Sequence, residues 1–299
     1  MNKEIRELLL SRSLVVKRIE IRNKIALIDT GEQVLVVKPK ESDLMPLYRY
    51  LHSRSFDYFP EVLYQTENYD IYRYVEEVHL EKEEKASDII KLLTLLHSKT
   101  TFYKEIDDDT YKKLYEDTVK KIEYLIGYYQ DLVEIFEGEE YMSPSHYLFV
   151  RNVSKLFQAL SYCRGRIDQW YHIIEEKKRV RITQTHRHLE LDHYLLAEKP
   201  YLISWRFSCK DIPIYDLVSF YQSYYLEFDF CNLLRIYEGS YPMLPEERAL
   251  FTCLISIPSK LVFSSSEFED CLAVKKFYDY LFTTDRLMMD YFSSGSGKK

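Results

Sequence analysis

The sequence predicts an α+β fold in two parts. A small N-terminal lobe carries a five-stranded antiparallel sheet plus one helix, and a larger C-terminal lobe is mainly helical. Three observations carry this. Short alternating or apolar runs separated by tight turns fill the first 76 residues, the mark of antiparallel strands. From residue 85 onward, long apolar stripes at helical spacing dominate. One hairpin interrupts them, with Tyr194–Leu196 and Tyr201–Trp205 as strands and Ala197–Pro200 as the turn. The expected limits are 1–77 for the first lobe, 78–292 for the second and 293–299 for a flexible SSGSGKK tail.

Composition narrows the class. A chain of 299 residues with 46% hydrophobic and 30% charged residues can bury a sizeable core and reads as a soluble globular protein. A net charge of −7 argues against nucleic acid as a main partner. No apolar run approaches the roughly 20 residues that span a bilayer. The N-terminus lacks a long apolar core and a small-residue cleavage site, so no signal peptide is expected. Cys163, Cys209, Cys231, Cys253 and Cys271 are dispersed and form no C-x-x-C pair, which fits reduced thiols in a cytoplasm.

In chain order, Lys3 to Leu10 is a short amphipathic helix. Val15–Ile21, Ile25–Ile28 and Gln33–Lys38 form a meander, with turns at Asn23-Lys24 and at Thr30-Gly31-Glu32. Gly31 is the only glycine before residue 100, so the first turn lacks the residue that lets a backbone approach phosphates closely. Glu41 to Leu51 is helical, with Leu44, Leu47 and Leu51 on one face. Strands begin at Pro60 and at Asp70. Lys85–Phe102, Asp109–Phe136, Ser143–Glu176 and Ser266–Phe292 read as helices, and Pro245-Glu246-Glu247 as another helix start. Asp107-Asp108-Asp109 reads as a helix cap rather than a calcium loop. The tail is not a phosphate-binding loop, because no G-x-x-x-x-G-K-[ST] is present.

Thr185 to Tyr225 is the informative stretch. His186-Arg187-His188, the hairpin, Leu202-Ile203-Ser204-Trp205 and Asp211-Ile212-Pro213-Ile214-Tyr215-Asp216-Leu217 follow the order of the active-site segment of the aminoglycoside and choline kinase-like phosphotransferases. The sequence resembles that superfamily, and within it the spore-coat (CotS-type) branch most, over roughly Leu14 to Phe292. The resemblance implies a two-lobed protein-kinase-like fold. It places Lys38 as the phosphate-pairing lysine, Asp43 as its acidic partner with Glu41 as the rival, and Tyr74 to Glu77 as the hinge, so that Tyr74 and Glu76 join the nucleotide site. It gives His186, His97 (in Leu96-His97-Ser98-Lys99-Thr100) and Asp216 structural roles.

The resemblance also marks a loss. His188 stands at the catalytic Asp, His193 at the metal-binding Asn and Ser204 at the metal-binding Asp. Phosphoryl transfer needs a carboxylate near the attacking hydroxyl and oxygen ligands for Mg²⁺, which these residues do not supply. Glu190 and Asp192 are the nearby substitutes. His186, His188 and His193 with Asp192 also invite a zinc or nickel reading, but their spacing matches no familiar site, and no metal site is assigned. His188 and Arg206 could instead supply positive charge in place of metal. The expected function is a pseudokinase of this family that acts by binding a nucleotide such as ATP, or by binding coat or regulatory proteins, in the cytoplasm or the spore coat. The alternative is an active ATP-dependent phosphotransferase with non-standard catalytic residues.

Overall fold

In the computed structural model, residues 3–22, 25–264 and 266–293 are described. The Asn23-Lys24 turn and residues 294–299 of the tail lie outside the described residues. The elements run α1 (Lys3–Ser11), β1 (Arg18–Arg22), β2 (Ile25–Asp29), β3 (Val34–Pro39), α2 (Met45–Ser53), β4 (Val62–Gln65), β5 (Tyr69–Arg73), α3 (Lys82–Thr100), β6 (Phe102–Glu105), α4 (Asp108–Glu137), α5 (Pro144–Arg151), α6 (Val153–Glu175), β7 (Arg179–Thr185), β8 (Tyr194–Leu196), β9 (Pro200–Leu202), β10 (Cys209–Asp211), α7 (Ile214–Tyr224), α8 (Phe230–Ser240), α9 (Pro245–Ser256) and α10 (Glu267–Leu287). The predicted class holds: a five-stranded antiparallel sheet near the N-terminus and a larger, mainly helical remainder. Contacts divide the chain into two compact units, Met1–Thr100 with His188–Ser208 and Thr101–Arg187 with Cys209–Lys299.

In the first unit the sheet order is β1-β2-β3-β5-β4. Register sorts the side chains by face. Ile28, Leu35, Val37 and Ile71 point to one side and pack under Ile5 and Leu9 of α1. Each such burial stabilises by about 1.5–3 kcal/mol. Leu27, Val36, Lys38, Asp70 and Tyr72 point to the other. The β2–β3 turn needs its glycine, since Gly31 has φ +84°, and Asp29 Oδ1 accepts its N–H at 2.7 Å. α2 starts at Met45 rather than Glu41. Pro46 fits only the first turn, and Asp43 Oδ1 accepts the Met45 N–H at 3.2 Å. The β8–β9 hairpin pairs Tyr194 with Leu202 and Leu196 with Pro200.

In the second unit α6 packs on α9. Leu156, Leu160, Cys163, Ile167 and Trp170 make a buried stripe at steps of three and four. The predicted 143–176 helix is two. α5 begins on Ser143, whose Oγ accepts from His146 N, and the chain breaks at Asn152 before α6. The buried strand β7 lies between β6 and β10. Arg181 on β7 donates from Nε to Glu247 Oε1 of α9 at 2.8 Å, and its guanidinium stacks 4.0 Å from the Tyr241 ring centroid. Glu247 Oε2 also accepts the Leu244 N–H at 3.0 Å, closing the start of α9.

Candidate functional site

The polar face of the sheet opens on a cleft of about 550 Å³, formed wholly within the first unit. Its floor is Leu27, Val36, Tyr72 and Tyr48. The segment from His188 to Phe207 supplies His188, His193, Ser204 and Arg206. Lys38 is where β3 alternation puts it, on the cleft face. Its ammonium lies 5.9 Å from the Tyr72 ring centroid, and burial lowers its basicity. Among the described residues no carboxylate pairs with Lys38. Asp43 Oδ1 accepts the Met45 N–H at the start of α2, and Glu41 Oε2 accepts from Arg206 Nη1 at 2.6 Å.

The reading from sequence missed Asp70, Tyr72 and Tyr48. Asp70 is the register partner of Lys38, is buried, and accepts from Gln65 Nε2 at 2.8 Å. Burial and then the Asp70 charge push the Tyr72 phenol up to about 12, and burial pushes Tyr48 up strongly. The signal for all three lies in the period-two alternation of β5 and the spacing of α2. Those patterns name a face, but they do not say that the face borders a cleft.

His188 and His193 sit together, ring centroids 4.9 Å apart. His193 Nδ1 lies 2.8 Å from the His188 carbonyl oxygen; since a carbonyl only accepts, Nδ1 carries the proton. Burial holds the His193 imidazole below its ordinary value. His188 Nε2 pairs with Glu190 Oε1 at 3.7 Å, and its ring meets Phe207 edge-on at 5.6 Å. Ser204 adopts φ +68°, ψ 45°, a left-handed conformation that a non-glycine residue holds only when its surroundings fix it. Buried Trp205 supplies one anchor through Nε1, which donates to Leu202 O at 2.8 Å. Arg206 lies over Phe207 at 5.1 Å.

The other expected residues fall elsewhere. Glu190 and Asp192 are not among the residues lining the cleft. Tyr74 and Val75 line it, whereas Glu76 lines a second hollow of about 690 Å³ with Glu61, Arg73 and Lys199. His97 is buried in α3. In the second unit, fully buried Asp216 in the first turn of α7 accepts the backbone N–H of His186 at 2.9 Å and of Arg187 at 2.6 Å.

No family model matches the sequence, and no curated protein matches it. Solved structures do match the backbone. An aminoglycoside phosphotransferase from Alicyclobacillus acidocaldarius subsp. acidocaldarius DSM 446 is similar, with a TM-score of 0.66 at 9% identity over 92% of this chain and 91% of that one. Spectinomycin phosphotransferase in complex with ADP and spectinomycin gives 0.54 at 11% identity, over 96% and 99%. The AMP-bound complex of that enzyme gives 0.52 at 11%, over 93% and 97%.

The fold is that of the aminoglycoside phosphotransferases.

The magnesium that this fold family implies calls for hard oxygen donors. The His188–Phe207 segment brings two imidazoles and a serine hydroxyl to the cleft, a poor match since imidazole suits softer metals, and the two carboxylates that line it are engaged elsewhere, Asp70 with Gln65 and Glu41 with Arg206. Among the described residues no group of three or more His, Cys, Asp or Glu gathers as a metal site. No step is therefore routed through a metal. The geometry offers cations from Lys38 and Arg206, an apolar and tyrosine-lined wall, and two histidines that meet edge-on.

Proposed function

We propose that this protein is a catalytically degenerate member of the aminoglycoside phosphotransferase-like proteins, a pseudokinase that binds a nucleotide by charge and shape rather than turning it over. The observation that carries the reading is Lys38, an ammonium without a carboxylate partner among the described residues, in one cleft with Arg206, His188, His193 and Ser204. A partly desolvated cation is costly to hold in an apolar wall, and an anionic ligand offsets that cost. The spectinomycin phosphotransferase of similar fold has been captured with AMP and with ADP, which supports a nucleotide as the anion. Asp216 accepts the His186 and Arg187 backbone N–H groups, the structural role the family resemblance implies for it, and the same resemblance puts His188, His193 and Ser204 at the positions where the family carries Asp, Asn and Asp.

The likeness to the spore-coat branch extends the proposal: the protein acts at the coat or in the cytoplasm of a spore-forming bacterium, through other coat or regulatory proteins. The lobe limits of 1–77 and 78–292 belong to the same proposal. The test pairs a thermal-shift titration, which needs no known acceptor, with phosphate release under magnesium. ATP should raise Tm while phosphate release stays at the level of the no-protein control. Magnesium-dependent release at an ordinary kinase rate would instead establish the active alternative, with Glu190 or Asp192 as the first residues to replace.

A further inference from the structure

A carboxylate already stands where Arg206 would meet an anion. Glu41 Oε2 is 2.6 Å from Arg206 Nη1, and both residues line the cleft that holds Lys38. Arg206 has a second contact, over the Phe207 ring at 5.1 Å, and Phe207 is in turn met edge-on by His188. The guanidinium is thus steadied from one side and bonded from the other. Glu41 is held differently. It lies between β3 and α2, four residues ahead of the first residue of α2. It precedes the N-cap of α2, Leu44, and the side chain that accepts the first α2 N–H, that of Met45, is Asp43.

We propose that Glu41 is a built-in competitor in the cleft, its carboxylate occupying an anion subsite on Arg206 that a phosphate ester of the ligand takes over. The proposal rests on reading the cleft as nucleotide-binding. A carboxylate and a phosphate present similar oxygens to the same guanidinium fork, so one excludes the other. Displacement is feasible because both partners are about half exposed, 55% and 46%, and exposed ion pairs are weak. Lys38 has no such internal carboxylate among the described residues, so ligand anion and Lys38 meet without an exchange. The two cations therefore play different parts: Lys38 sets whether an anion binds, and the Glu41–Arg206 pair sets how tightly.

The experiment is calorimetric titration of ATP in EDTA at low salt into the full chain, as wild type, Glu41→Gln, Arg206→Ala and the double variant. Removing the competing charge should tighten ATP by about fivefold, the scale of an exposed ion pair. The gain should vanish in the double variant, which should bind like Arg206→Ala, and should shrink at high salt. Glu41→Ala serves as a second release variant if Glu41→Gln folds poorly. If wild type binds ATP and both release variants bind no better, the competitor role is wrong while the nucleotide reading stands. If neither wild type nor the release variants bind ATP, both fail together.

Discussion

Asp216 Oδ1 accepts the backbone N–H of Arg187 at 2.6 Å, and Arg187 holds φ +68°. A buried carboxylate pins a loop residue in a conformation that L side chains rarely adopt. The same carboxylate accepts His186 N–H. Asp216→Asn would face one of these donors with an amide NH₂. We predict a loss of about 3 kcal/mol, from two charge-assisted hydrogen bonds of which one becomes a clash of donors. Guanidinium denaturation of the two proteins checks it; an unchanged midpoint would remove the pinning role.

Lys38 should show the opposed effects of a functional residue. Its ammonium is partly desolvated and without a carboxylate partner among the described residues. Lys38→Met should therefore stabilise by about 1 kcal/mol, since it removes a buried charge and keeps the packing. The same change should weaken ATP at least about tenfold, the worth of one charged hydrogen bond. Thermal melting and ligand titration on the same preparation read both.

Arg181 and Glu247 form a buried ion pair between β7 and α9. Removing one partner strands the other, so Arg181→Ala should cost about 3–5 kcal/mol. Arg181→Met with Glu247→Leu should recover much of that loss, because neither charge is then stranded. Chemical denaturation of the single and double variants decides between them.

His193 gives a pH signature. Burial holds its folded imidazole below the ordinary value of 6.5. As pH falls through about 6.5 the unfolded ring takes a proton that the folded ring resists. The unfolded state then binds more protons, so stability rises with pH in that window and is lost on acidification below it. His193→Gln, which still offers an N–H toward the His188 carbonyl, should flatten part of the drop in Tm between pH 7 and 5.5. An unchanged slope would contradict the assignment.

Much of this was legible in the sequence because local signals are strong. The hairpin that starts at Tyr194, the glycine turn at Gly31, the start of α9 at Pro245 and the end of α3 near Thr100 follow from turn chemistry and helical spacing, but the return strand is Pro200–Leu202 and Trp205 begins a 3-10 turn rather than ending that strand. β3 alternation placed Lys38 on one face. What was illegible is short or distant. β10 has three residues and β6 four, too few for a period, and the break at Asn152 lacks a proline or glycine. Glu41 and Arg206 are 165 residues apart, and Arg181 and Glu247 are 66 apart. Such pairs form only once the chain has folded, and no local pattern announces them. Asp43 is a fair partner for Lys38 by spacing alone, but Pro46 sets the start of α2 and the Asp43 carboxylate accepts the Met45 N–H there.

The central claim is that anion binding in the cleft depends on protein cations and not on metal. The most direct test is the ratio of ATP dissociation constants in EDTA and in excess magnesium, measured calorimetrically on the wild-type chain. The account predicts saturable binding in EDTA that magnesium does not tighten. Binding seen only with magnesium would contradict it and return the cleft to metal-dependent chemistry.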